Sequence, residues 1–122
     1  MIRRDSGSAV AEFAIVLPLV LVVLVASVEL VAVTRVQLEV TQAAREGARQ
    51  AATTVDPALA VAAVQAALPP SVAAEARVSV TRPQEVGARA EVRVRLPYRF
   101  AAALFGGLAV ELSARAVMRV EQ

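Results

Sequence analysis

Residues 13–28 carry no charged side chain, and only Pro18 and Ser27 interrupt their aliphatic and small residues. These 16 residues make about 24 Å of helix, short of a bilayer core of about 30 Å. Continued through Glu29 to Val33, the run reaches 21 residues and about 31 Å, which spans. A carboxylate at the centre of a membrane helix costs about 2.5–3.5 kcal/mol. The spanning reading therefore requires Glu29 to sit at the far interface or to find a partner. Beyond Val33 the period stays helical. Val36, Val40, Ala43 or Ala44, Gly47 and Ala51 recur on one narrow face of small side chains. Thr53-Thr54-Val55 ends this helix. Asp56-Pro57 restarts one, with the acid as N-cap and the proline in the first turn. The pattern predicts a second helix over residues 59–68, with Val61, Val64 and Leu68 on one face and Pro69-Pro70 as its stop.

After Pro70 the period changes from helical to alternating. Residues 77–81 alternate and Pro83 closes them. Residues 88–96 alternate strictly, placing Ala90, Val92, Val94 and Leu96 inward and Arg89, Glu91, Arg93 and Arg95 in water. Pro97-Tyr98 is expected to end that strand. Residues 100–105 read as a short helix or a bulky connecting loop, and Gly106-Gly107 turns the chain. A last strand over residues 109–120 would bury Val110, Leu112, Ala114, Ala116, Met118 and Val120. The expected fold is α+β: a long N-terminal helix, partly transmembrane, a short second helix, and a small three-stranded antiparallel sheet packed on the long helix. Such a sheet needs one face covered to be stable, and the N-terminal helix supplies the cover.

Composition narrows the chemistry. Of the 122 residues 57% are hydrophobic, but with three Phe, one Tyr and no Trp the core is expected to be thin. All 13 basic residues are arginine, against 11 acids; without residues 1–7 the count is 11 against 10, a net charge of +1. That balance argues against nucleic acid as a partner, since its readers carry a clustered basic footprint. Arg89, Arg93 and Arg95 form a short stripe interrupted by Glu91, which reads as a solvated strand face. Cysteine and histidine are both absent, which excludes disulfides, thiol nucleophiles, zinc–thiolate sites and a Ser-His-Asp triad. Gly106-Gly107 stands alone and makes no phosphate loop. No enzyme activity, cofactor or metal is expected. Arg3 and Arg4, against Asp5, keep the short N-terminal flank cytoplasmic and send the C-terminal part outward.

One motif precedes the apolar run. In Gly7-Ser8-Ala9-Val10-Ala11-Glu12-Phe13 a glycine is followed five residues later by a carboxylate and then by the helix. A first-turn acid favoured by the helix dipole is one reading of Glu12. The motif also resembles the cleavage site of type IV prepilins and pseudopilins. Joined to Pro18, Glu29 and the block Ala43-Ala44-Arg45-Glu46-Gly47-Ala48-Arg49, it resembles the TadE-like proteins of tight-adherence (Flp) pilus systems. The resemblance covers about residues 7–52. It departs from the family where Leu30 and Val31, rather than an aromatic residue or a glycine, follow Glu29.

The resemblance implies residues 1–7 as a prepilin leader, 8–34 as the transmembrane half of the helix and 35–122 as an extracytoplasmic α+β domain. It implies a minor pilin or pseudopilin, cut by a prepilin peptidase between Gly7 and Ser8. Glu12 and Phe13 would then set assembly and register, Pro18 a kink, and Glu29 an interfacial or intersubunit charge. The implied partners are the peptidase, other pilins and pilus-assembly proteins, and the membrane. The implied location is the bacterial inner membrane, crossed once, with later assembly into an extracellular pilus. Two alternatives stay open. One is an uncleaved, membrane-anchored assembly helper. The other is a soluble binding module released by a signal peptidase at Val25-Ala26-Ser27, beginning at Val28.

Overall fold

The computed structural model describes residues 2–121. The side chains of Arg3 and Arg4, from which the orientation of the span is read, lie outside the described ones. Helix α1 runs over Ile2–Thr53, 52 residues or about 78 Å. Its end is held in place by the sheet. The carbonyls of the last helical turn have no partner within the helix. Here Ala51 O accepts from Arg82 Nε at 2.6 Å and Ala52 O from Glu121 N at 3.0 Å. A guanidinium at that position also complements the negative end of the helix dipole.

Helix α2 (Pro57–Ala67) starts as its sequence dictates, with Asp56 Oδ1 accepting from Ala58 N at 2.9 Å and Pro57 in the first turn. Its buried face is Ala60, Val64 and Leu68, whereas Val61 is half-buried. The face is rotated by one residue because Ala60, not Val61, packs towards Gly47. Pro70 opens the short helix α3 (Pro70–Ala73), in keeping with a proline's preset φ at the first helical position.

Three strands follow, β1 (Arg77–Thr81), β2 (Arg89–Arg99) and β3 (Ala109–Arg119), antiparallel in the order β1-β2-β3. Contrary to the expectation above, β2 continues through Pro97 and Tyr98. Pairing with β1 stops at Arg77 opposite Arg95, so from Leu96 onward β2 has a neighbour on one side only, where a strand tolerates proline. The alternation of β3 is also realised unevenly. Leu112 and Val120 are buried and Ala114 and Ala116 half-buried, but Val110 and Met118 are exposed. As an edge strand, β3 has no further strand to shield the flank of its larger side chains.

The core lies between the second half of α1, the inward face of α2 and the inner face of the sheet. Val40, Ala43, Ala44, Ala48 and Ala51 meet Ala60, Val64 and Leu68 on one side and Ala90, Val92, Val94 and Leu96 on the other. Among the described residues its largest fully buried side chain is Leu96, and no aromatic ring enters it. Small faces allow such a core to close. A Cβ at Gly47 would run into the Val64 side chain, with Val92 Cγ1 at 3.1 Å and Ala60 O at 3.5 Å. Glycine is therefore what lets α1 and α2 approach.

Candidate functional site

The first half of α1 touches almost nothing. All eleven large apolar side chains from Val10 to Leu24 are exposed. Covering each fully is worth about 1.5–3 kcal/mol, so leaving them in water would forgo about 15–30 kcal/mol, more than the whole stability of a typical domain, about 5–15 kcal/mol. α1 is long and apolar enough to cross a membrane, and its most apolar stretch is hardly covered by the rest of the chain, unlike the core helix of a soluble protein. This half needs an apolar surround from outside the chain.

The residues of the N-terminal motif lie on this bare rod. A side chain at Gly7 would meet only open space, and Ser8, Glu12 and Phe13 are exposed. The helix begins at Ile2 with Asp5 as its first-turn acid, which places Glu12 almost three turns in. A dipole-stabilised first-turn role for Glu12 therefore does not hold in the full chain. Pro18 sits inside α1, which continues on both sides of it.

Glu29 is the exception on this helix. It is 8% exposed, although Val28, Leu30 and Val31 around it are 61–70% exposed. The connection after β2 folds over it, and Ala102 N donates to Glu29 Oε1 at 2.6 Å across 73 residues of sequence. Glu29 Oε2 is buried with no hydrogen-bond partner among the described residues. The Tyr98 phenol faces the carboxylate without closing on that oxygen. Its pKa is pushed above the usual phenol range, by burial first and then by the Glu29 charge. A buried acceptor left bare costs about 1–3 kcal/mol. The site thus ties the C-terminal end of the apolar run to the connection that follows β2. Sequence reasoning required a partner for Glu29 but did not find Tyr98 or the Ala102 amide. The available signal was the chain's single tyrosine, just ahead of an apolar connection.

The block 43–49 is divided by face. Ala43, Ala44, Gly47 and Ala48 are buried in the core, while Arg45 and Arg49 are exposed. Arg49 grips Glu46 with Nη2 to Oε1 at 2.5 Å and Nε to Oε2 at 3.1 Å. These hydrogen bonds hold the Glu46 carboxyl below its usual pKa and the guanidinium above its own. Among the described residues, this ion pair forms and one between Arg35 and Glu39 does not.

The outer face of the sheet gathers more charge than the sequence stripe suggested. Strand register places Arg77, Arg89, Arg93, Arg95, Arg99, Arg115 and Arg119 on it with only Glu91 and Glu111, a net charge of 7 − 2 = +5. Glu91 reaches Arg93 at 3.2 Å and Arg115 at 3.8 Å, and Glu111 reaches Arg95 at 3.8 Å.

A helix bare in its first half and core-forming in its second, carrying a small antiparallel sheet, defines an α+β protein whose long helix is apolar enough over its first half to cross a membrane. Residues 7–49, about a third of the chain, are similar to the model of the TadE-like protein family. The match ends within α1, so the sheet lies beyond it. No curated protein and no solved structure matches the chain.

Proposed function

We propose that this chain is a minor pilin or pseudopilin of a tight-adherence pilus machine, a structural subunit rather than an enzyme. Its first half of α1 inserts in the inner membrane and later packs among the helices of neighbouring subunits. The observation that carries this reading is that Gly7, Ser8 and Glu12 lie on a helical rod that nothing in the chain covers. A prepilin peptidase cuts after Gly7, and Ser8 then carries a free or methylated amine. Glu12, which has no partner among the described residues, pairs with the Ser8 amine of the next subunit and fixes register, as a single polar residue does in a coiled coil. An unpaired carboxylate among packed apolar helices is too costly for a looser arrangement.

One observation favours a second reading, the uncleaved anchor. α1 is continuous across the Gly7–Ser8 bond, so cleavage requires its first turns to unwind. Mass spectrometry of the mature N-terminus, from cells carrying the matching peptidase, separates the readings. A chain starting at Ser8 is expected. A start at Met1 or Ile2 selects the uncleaved helper, and a start at Val28 removes the anchor and overturns both. In the first case Glu12→Ala leaves membrane insertion intact and lowers incorporation into pili roughly tenfold or more, the loss of one charge-assisted pair of about 1.5–3 kcal/mol. Normal incorporation of that variant would refute the register role.

A further inference from the structure

Residues 100–110, Phe-Ala-Ala-Ala-Leu-Phe-Gly-Gly-Leu-Ala-Val, contain no polar side chain. They form the connection from β2 to β3 and the start of β3. A 3₁₀ turn at Ala103–Phe105 and bonds from Phe100 N to Leu108 O (3.2 Å) and Leu108 N to Phe105 O (2.8 Å) shape the loop. Gly107 takes the left-handed turn at φ 83° that a side chain would resist. Leu104, Leu108 and Val110 are nevertheless 62%, 56% and 42% exposed. A contiguous apolar edge of this kind marks a contact surface, since connections facing water are polar.

We propose that this loop is a second membrane contact, resting its Leu104 and Leu108 edge in the outer boundary between headgroups and hydrocarbon beside the anchoring helix. The proposal rests on α1 being a membrane anchor and commits to lipid as the occupant. Position argues for it first. The Ala102 amide holds Glu29, which lies about 26 Å along the helix from Glu12, close to the outer edge of a core of about 30 Å. Cover argues for it next. With Glu29 roofed over by the loop, the helix surface carries no exposed charge from residue 13 to residue 34, about 33 Å. Lipid that reaches Leu30 and Val31 must therefore reach the loop at the same level. The aromatic residues agree. Three of the chain's four aromatic rings meet here, Tyr98 on Phe100 at 5.5 Å and Phe100 on Phe105 at 5.8 Å, and such rings favour the membrane interface. Arg99 just before the loop and Arg35, about 9 Å beyond Glu29 along the helix, supply cations at headgroup level.

The chain has no tryptophan, so a single introduced one reports on one place. Full-length Leu108→Trp and, as an independent copy of the same probe, Leu104→Trp are reconstituted into phosphatidylcholine–phosphatidylglycerol vesicles. Quenching is read with lipids brominated on the upper acyl chain and with aqueous iodide. Leu21→Trp in the span and Val117→Trp on the outer sheet face are the references. The expected result is that both loop tryptophans lose most of their emission to the brominated lipid and resist iodide, whereas Val117→Trp does the reverse. Iodide quenching of the loop probes like that of Val117→Trp overturns the proposal. Shielding of the loop from both quenchers also overturns it and assigns the surface to a second copy of the chain. If Leu21→Trp itself escapes the brominated lipid, the anchor reading fails, and the loop proposal falls with it.

Discussion

Glu29 shows how much one residue can demand of the chain around it. Its position after a charge-free run requires either an interface or a partner, and the fold supplies a backbone amide from 73 residues away together with Tyr98. That demand was legible in the sequence; the partner was not, because a backbone N–H carries no side-chain signature. The pair is open to a direct test, since Tyr98 is the only tyrosine. Its phenol is raised above the usual value near 10, so the stabilisation it contributes is complete below the unfolded phenol's pKa and is lost as pH rises through the higher folded one. Absorbance titration of the folded chain should place ionisation above that of a free tyrosine. Glu29→Gln should move it down, because the charge that opposes phenolate formation is gone. An unchanged titration would mean that the carboxylate does not act on the phenol. Glu29→Ala removes the acceptor of Ala102 N and should speed hydrogen exchange at that amide roughly tenfold or more, by the cost of about 1–3 kcal/mol for an orphaned buried donor.

At the scale of elements, α1 does two jobs that the sequence separates by side-chain size. Large aliphatics fill the bare half, whereas Ala43, Ala44, Gly47, Ala48 and Ala51 line the core half. This division, the Asp56 cap and the inward set of β2 were all readable, because each rests on local periodicity or capping. The overrun of β2 through Pro97 and the exposure of Val110 and Met118 were not. They depend on which strand lies at the sheet edge and where pairing with β1 stops, facts of register that no single segment encodes. Gly47 offers the sharpest element-scale prediction. In an isolated helix Gly→Ala gains about 1 kcal/mol of propensity. Here the added methyl meets Val64 and Val92, and overpacking of a closed core costs about 1–3 kcal/mol. Gly47→Ala should therefore lower stability by up to about 2 kcal/mol net, as read by thermal melting followed through the sheet signal. A stabilised variant would show that α1 and α2 can part without loss.

Across the whole molecule, charge is distributed in a way the net value conceals. The total is +2, yet the outer sheet face alone carries +5, which leaves 2 − 5 = −3 for everything else. The near-neutral sum gave no hint of this, because the acids that balance it, such as Glu39, Glu46, Glu75 and Glu85, lie on the helices and loops. Register aligns three arginine pairs directly across the strands: Arg77 with Arg95, Arg93 with Arg115, and Arg89 with Arg119. Like charges placed this way oppose sheet formation by about 0.2–1 kcal/mol each. Glu91 and Glu111 offset only part of it, since exposed ion pairs contribute about 0–1 kcal/mol. Salt should therefore stabilise this domain. Raising ionic strength from about 0.01 M to about 0.15 M shortens the screening length from about 30 Å to about 8 Å and weakens repulsion across the whole face. For the full chain in neutral detergent the melting temperature should rise by several degrees, the equivalent of about 1 kcal/mol in a domain this small. Arg93→Glu, which sets an acid opposite Arg115, should raise the melting temperature at low salt and flatten its salt dependence. A melting temperature that falls with salt would instead mean that the ion pairs outweigh the arginine repulsion.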